Sequence, residues 1–149
     1  MNFFTKALAH AGKLNSCIEF GANIGMNLKA LKLLYPSITF KGIEINDQAA
    51  LELGHVIGKD NVINSSIFDF EVNQKSEISL IKGVLIHINP DMLDVVYQKL
   101  YDASSSYILI AEYYNPTPVA IAYRGHQDKL FKRDFAGACY EHISRFRIG

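Results

Sequence analysis

The chain has 149 residues, 49% of them apolar, and 15 Lys and Arg balance 15 Asp and Glu to a formal net charge of zero. That is the length of one domain able to bury a sizeable core, and the even charge gives no electrostatic reason to expect nucleic acid or a membrane surface as partner. The two cysteines, Cys17 and Cys139, stand far apart and outside any metal-type pair, which points to a reducing cytoplasm and to no metal centre.

Taken in chain order, Phe3, Phe4, Ala7, Leu8 and Ala11 follow helical spacing, with Gly12 as a stop. Lys6, His10 and Lys13 break this segment before it reaches the length of a signal core or a bilayer span. Residues 16–20 read as a first strand. Ile24, Leu28, Leu31, Leu33 and Leu34 give a helix with an apolar face that ends before Pro36. A second strand over 38–45 leads to a helix over 49–57, capped by Asn46 or Asp47 and closed by Gly58. Residues 62–67 form a short third strand, and the polar stretch 68–76 a loop or poorly formed helix. The apolar run 78–88 is a central parallel strand and the turn beyond it. Asn89, Pro90 and Asp91 open a helix whose buried face is Met92, Leu93, Val96 and Leu100. A fifth strand over 107–113 is followed by a proline-bearing loop and a helix over 127–136.

Strands alternating with helices predict an α/β fold: a mostly parallel, Rossmann-like sheet with helices on both faces, in one domain over 1–149. Ligands in such sheets bind beyond the carboxyl ends of the strands, near the switch in strand order. The first of these ends is the most informative. Glu19-x-Gly21-x-Asn23-x-Gly25 joins a buried strand to a helix, and Glu44 closes the second strand. A dinucleotide fingerprint needs a glycine in the middle of this turn so that a pyrophosphate can approach the backbone; Asn23 occupies that place. S-adenosylmethionine (SAM) has no phosphate. Glu19 can attract its ammonium, Gly21 lets the backbone come close, Asn23 can offer a donor to its carboxylate, and Glu44 can accept both ribose hydroxyls. The structural alternatives are a tight turn at Gly21 and Gly25 and a solvated strand end at Glu44.

These residues also carry a resemblance. Residues 18–28, 42–46, 82–91 and 107–116 are similar to class I SAM-dependent methyltransferases, and more narrowly to the methylases associated with pseudaminic acid biosynthesis. Tyr123-Arg124-Gly125 and residues 128–137 extend the likeness. It implies a SAM-dependent methyltransferase acting in the cytoplasm on a small sugar or sugar-nucleotide acceptor. The class usually adds an antiparallel strand pair after the fifth strand and its helix. With Gly149 as the last residue, truncation there is expected, leaving a sheet edge through which a homo-oligomer could pair.

The resemblance implies further site residues. Ser66 and Ile67 end the third strand, where adenine packs in this fold. Asp69 can accept from the adenine amino group or cap a short helix. Lys82 and Gly83 pass the donor. His87, beyond the fourth strand, is the candidate base or acceptor-positioning residue, or else bonds a nearby backbone group. Tyr113 and Tyr114 could wall the acceptor pocket, and Arg124 could grip a carboxylate or phosphate; Lys129 and Lys132 read better as a solvated face. Two other functions stay open. One is a nicotinamide-dependent sugar oxidoreductase or epimerase, for which no Tyr-x-x-x-Lys pair occurs. The other is a truncated, non-catalytic SAM-binding domain.

Overall fold

The computed structural model of the chain describes residues 2–123 and 126–145. Five parallel strands, β1 (Ser16–Phe20), β2 (Thr39–Glu44), β3 (Val62–Asn64), β4 (Ser76–Lys82) and β5 (Ser104–Ala111), lie in the order β3-β2-β1-β4-β5. The chain runs outward from β1 through β2 to β3, then crosses back to place β4 on the other side of β1. The switch point therefore lies between β1 and β4.

Strand alternation builds two cores. Ile18 and Phe20 of β1, Ile43 of β2 and Ile81 of β4 face α4 (Leu93–Asp102) and α5 (Phe135–Arg145), packing with Val96, Tyr97, Leu100 and Phe135. Cys17, Phe40, Ile78 and Leu80 face the opposite way, toward α1 (Asn2–Ala7), α2 (Met26–Leu34) and α3 (Asp47–Ile57), and meet Phe4, Leu28, Leu31 and Leu53. β1 is covered on both faces, so Cys17, Ile18, Glu19 and Phe20 are all buried, and Glu19 is a charged type in an apolar layer. Among the described residues no helix is long and apolar enough to cross a membrane.

The expected caps are present. The Asn46 side chain accepts from the Ala49 N–H at 2.9 Å, Gly58 ends α3 with φ of 88°, and Asn89 accepts from Asp91 N–H ahead of Pro90.

Other expectations are corrected. The helix expected over 127–136 is absent. Residues 126–132 are instead the strand β7 (His126–Lys132), paired antiparallel with β6 (Val119–Tyr123), and α5 starts at Phe135. An antiparallel pair thus does follow β5, but it forms a two-stranded sheet of its own. β3 stops at Asn64 and β5 at Ala111, each short of its expected end. Of the two readings of the polar stretch after β3, the loop is the one present: residues 68–75 form no helix, and Ser76 already belongs to β4. Met92, expected in the core, is exposed, because the first turn after Asn89 is a 3-10 turn (Pro90–Met92) whose tighter winding puts it out of phase with α4. Leu33 is exposed as well.

Candidate functional site

Three loops meet at the carboxyl ends of β1, β2 and β4, and their geometry follows from a few residues. Gly21 leaves β1 with φ of 73°, and the Gly21 and Ala22 N–H groups both donate to the Ile43 carbonyl at 2.9 Å. A Cβ at Gly21 would stand 2.6 Å from Val84 Cγ2, so a side chain there would push the β4 loop away. Asn23 is left-handed, with φ of 48°, the only such non-glycine residue among those described. Gly25, φ 82°, starts α2, and a Cβ there would meet Leu53 at 2.9 Å. Gly25 is therefore a packing and turn residue and does not line the cavity described below.

Glu44 ties these loops together. Its Oε2 accepts from Asn23 N–H and its Oε1 from Asn46 N–H, both at 2.8 Å. Its carbonyl accepts from Ser65 N–H at 3.2 Å and from the Asn64 side chain at 2.9 Å. One residue thereby joins the loops after β1, β2 and β3. The structural alternative of a solvated strand end is excluded, since Glu44 is 91% withdrawn from solvent by its 9% exposure.

The loops enclose an open cavity of about 830 Å³. Gly21, Asn23 and Glu44 line one side of it, Ser66 and Ile67 another, and Lys82, Gly83 and His87 a third. Eight of the residues singled out from sequence are thus brought together. Glu19 lies beneath, fully buried. Its Oε1 accepts from the Asn27 side-chain amide at 2.7 Å, whereas Oε2 is buried with no hydrogen-bond partner among the described residues. Burial pushes the Glu19 carboxyl up to about 8; the Asn27 bond and the nearby Lys82 charge pull it down, and Glu44 pushes it up.

Some expected residues lie elsewhere. Asp69 is exposed and borders a separate depression with Phe70 and Glu71, because the chain turns away from the cavity after Phe68. Tyr113 and Tyr114 are exposed and line no part of the cavity, since β5 ends before them. The Tyr113 ring instead lies under Lys132 Nζ, 5.4 Å from its centroid. Arg124 falls outside the described residues, as does the Lys129 side chain.

The sequence reading also missed residues. Asn27 donates to Glu19 from the first turn of α2, and its place there was the available signal. Glu112, just past β5, accepts from the Val84 and Leu85 N–H groups at 2.8 and 2.9 Å and so ties the β5 end to the loop carrying His87. Ile24, Met26, Ile45 and Phe68 form a partly exposed apolar rim to the cavity.

Solved structures share this architecture. An O-methyltransferase from a trans-AT polyketide synthase multienzyme of Brevibacillus brevis, in complex with S-adenosyl-L-homocysteine, superposes with a TM-score of 0.67 at 17% identity, over 87% of this chain and 44% of that one. The fold is that of the class I methyltransferases. The DhpI–SAH complex gives 0.64 at 14% identity, over 96% of this chain and 76% of that one. The sugar N-methyltransferase KedS8 from Streptoalloteichus gives 0.65 at 12% identity, over 83% and 55%. This chain thus spans less than half of the first of these methyltransferase-fold proteins. No protein-family model and no curated protein matches the sequence.

Proposed function

We propose that the chain binds SAM in the cavity beyond β1 and β4 and transfers its methyl group to a small, sugar-like acceptor beside His87. The observation that carries this reading is the cavity itself. It lies at the switch point of a methyltransferase fold, with an acid that joins three loops on its wall and a second acid buried under its floor.

The residues fit the donor. Each Glu44 oxygen accepts one backbone N–H and keeps a further lone pair for a ribose hydroxyl. The unpaired Glu19 Oε2 can accept from an ammonium, directly or through water, and the ammonium's charge would favour the ionised carboxyl that burial alone disfavours. Ser66 and Ile67 offer a wall for adenine, with Phe68 and Ile45 at its edge. SAM, when bound, supplies an electrophilic methyl on a sulfonium. The protein's task is then mainly to hold the acceptor in line. A hydroxyl acceptor must lose a proton, which His87 can take at its ring; a neutral amine needs no such help.

The acceptor class has two supports. One structural neighbour is a sugar N-methyltransferase, and the sequence resembles the pseudaminic acid-associated methylases. Arg124 is the residue proposed to meet an acidic group on the sugar. The two cysteines are free and buried, in keeping with a cytoplasmic setting. No strand pairs with the outer edge of β5 among the described residues, and a homodimer would form there.

A second reading is SAM binding without turnover, favoured by Tyr113 and Tyr114, expected to wall an acceptor pocket, lying exposed outside the cavity. The nicotinamide reading is opposed by Asn23, whose side chain stands where a pyrophosphate needs bare backbone. Calorimetric titration with SAM, S-adenosylhomocysteine and NAD tests all three. Saturable SAM binding and a one-methyl mass gain on a sugar nucleotide are expected. Binding without mass gain favours the second reading, and binding of NAD alone sinks the proposal.

A further inference from the structure

Beyond the donor cavity, the most informative polar group is the half-buried Glu112. It sits immediately after β5, and its Oε1 accepts from two consecutive backbone N–H groups, Val84 at 2.8 Å and Leu85 at 2.9 Å. Those amides open the 3-10 turn Leu85–His87, whose last residue donates its N–H back to the Val84 carbonyl at 2.9 Å. Gly83 N–H donates to the Ala111 carbonyl at 3.0 Å, so the register of β4 with β5 runs up to the turn. Glu112 Oε2 is buried and accepts no hydrogen bond among the described residues. A carboxylate with one oxygen committed to a turn and the other buried without a partner is costly unless a positive charge lies close.

We propose that Glu112 is the positioning residue for His87: its carboxyl fixes the turn that carries the imidazole. The inference rests on reading His87 as the acceptor-side base. Burial pushes the Glu112 carboxyl up, and the Leu85, Val84 and Ile86 amides of the turn, then the His87 ring, pull it back only in part. The other described charged groups on the elements around the turn are Lys82 at the end of β4, Glu44 at the end of β2, Asp91 in the following turn, and Lys132 on β7. Of these, Lys82 shares His87's wall of the cavity and Glu44 lies on another, with the opposite sign. A turn held in one conformation holds the imidazole in one place, which a base facing a substrate hydroxyl requires.

Nuclear magnetic resonance on the full chain without ligand tests this. Glu112→Ala removes the acceptor for the Val84 and Leu85 amides, whereas Glu112→Gln keeps an oxygen able to accept from them. Glu112→Ala should displace the His87 ring resonances and speed exchange of the Val84 and Leu85 amides about tenfold or more, and Glu112→Gln should restore both. His87 resonances that Glu112→Ala leaves in place, or that Glu112→Gln fails to restore, overturn the proposal. A second reading needs no variant: in the unmodified chain the Val84 and Leu85 amides should exchange about tenfold or more slowly than unprotected amides of the same sequence, and a pair that exchanges as freely also overturns the proposal, even if neither variant folds. Neither reading requires SAM. A shifted His87 in a chain that binds no SAM would leave this inference standing while the proposed function fails.

Discussion

At the scale of single residues, two carboxylates carry different burdens. Glu44 is both scaffold and proposed ribose contact, so Glu44→Ala should act twice. Loss of the proposed hydroxyl contacts should weaken SAM binding by about 2–4 kcal/mol, and loss of the acceptor for the Asn23 and Asn46 N–H groups should lower unfolding free energy by about 1–3 kcal/mol. Calorimetry and urea denaturation separate the two; an unchanged dissociation constant would remove its ribose role. Glu19 makes a prediction in pH. Its carboxyl rises from 4.5 to about 8 on folding because burial disfavours the charge. Between those values the unfolded chain holds fewer protons than the folded one, so stability falls as pH rises through that window. The loss is up to about 4 kcal/mol by pH 8. Glu19→Gln should flatten this decline in a melting series, while leaving the contribution of other titrating groups in place. Equal slopes for the two chains would mean that Glu19 is solvated or paired as readily as in the unfolded chain.

At the scale of elements, local chemistry places the helices that shape the cavity. Asn46 caps α3 through a single bond to Ala49 N–H while its own N–H holds Glu44. Asn46→Ala keeps the second bond and loses the first, so it should cost about 1 kcal/mol by urea denaturation. A loss near zero would show that water replaces the cap. Signals of this kind were readable in advance: the buried run of β1, the Gly21 and Gly25 turn, the Asn46 and Asn89 caps. They depend on neighbours in sequence, which one chain displays. The hairpin was not readable. Leu130, Phe131 and Phe135 mimic one face of a helix, and only pairing with β6 reveals the strand. The same limit hid Glu112. With the fifth strand expected to reach residue 113, Glu112 stood inside it. Since β5 ends at Ala111, Glu112 is the first residue free to bend onto the β4 loop, and Tyr113 and Tyr114 follow it away from the cavity.

At the scale of the whole molecule, two sheets of unequal standing share one fold. β1 pairs on both sides, with β2 and β4, and is covered on both faces. β6 and β7 pair with each other alone, and Val119 and Ile121 remain 37% and 40% exposed. A two-stranded ribbon is marginal by itself, so the hairpin's order depends on what it rests on, and β7 packs against the turn Leu85–His87. Native-state hydrogen exchange should therefore divide the chain. Amides of β1 and β4 should exchange only through global unfolding. Those of β6 and β7 should open at a cost lower by about 2 kcal/mol or more. Hairpin amides protected as strongly as those of β1 would mean that both sheets form one cooperative unit, and that the His87 turn is braced by β7 as firmly as by Glu112. Early hairpin exchange with Val84 and Leu85 still protected would assign the bracing to Glu112 alone, because those two amides would then outlast the strand packed over them.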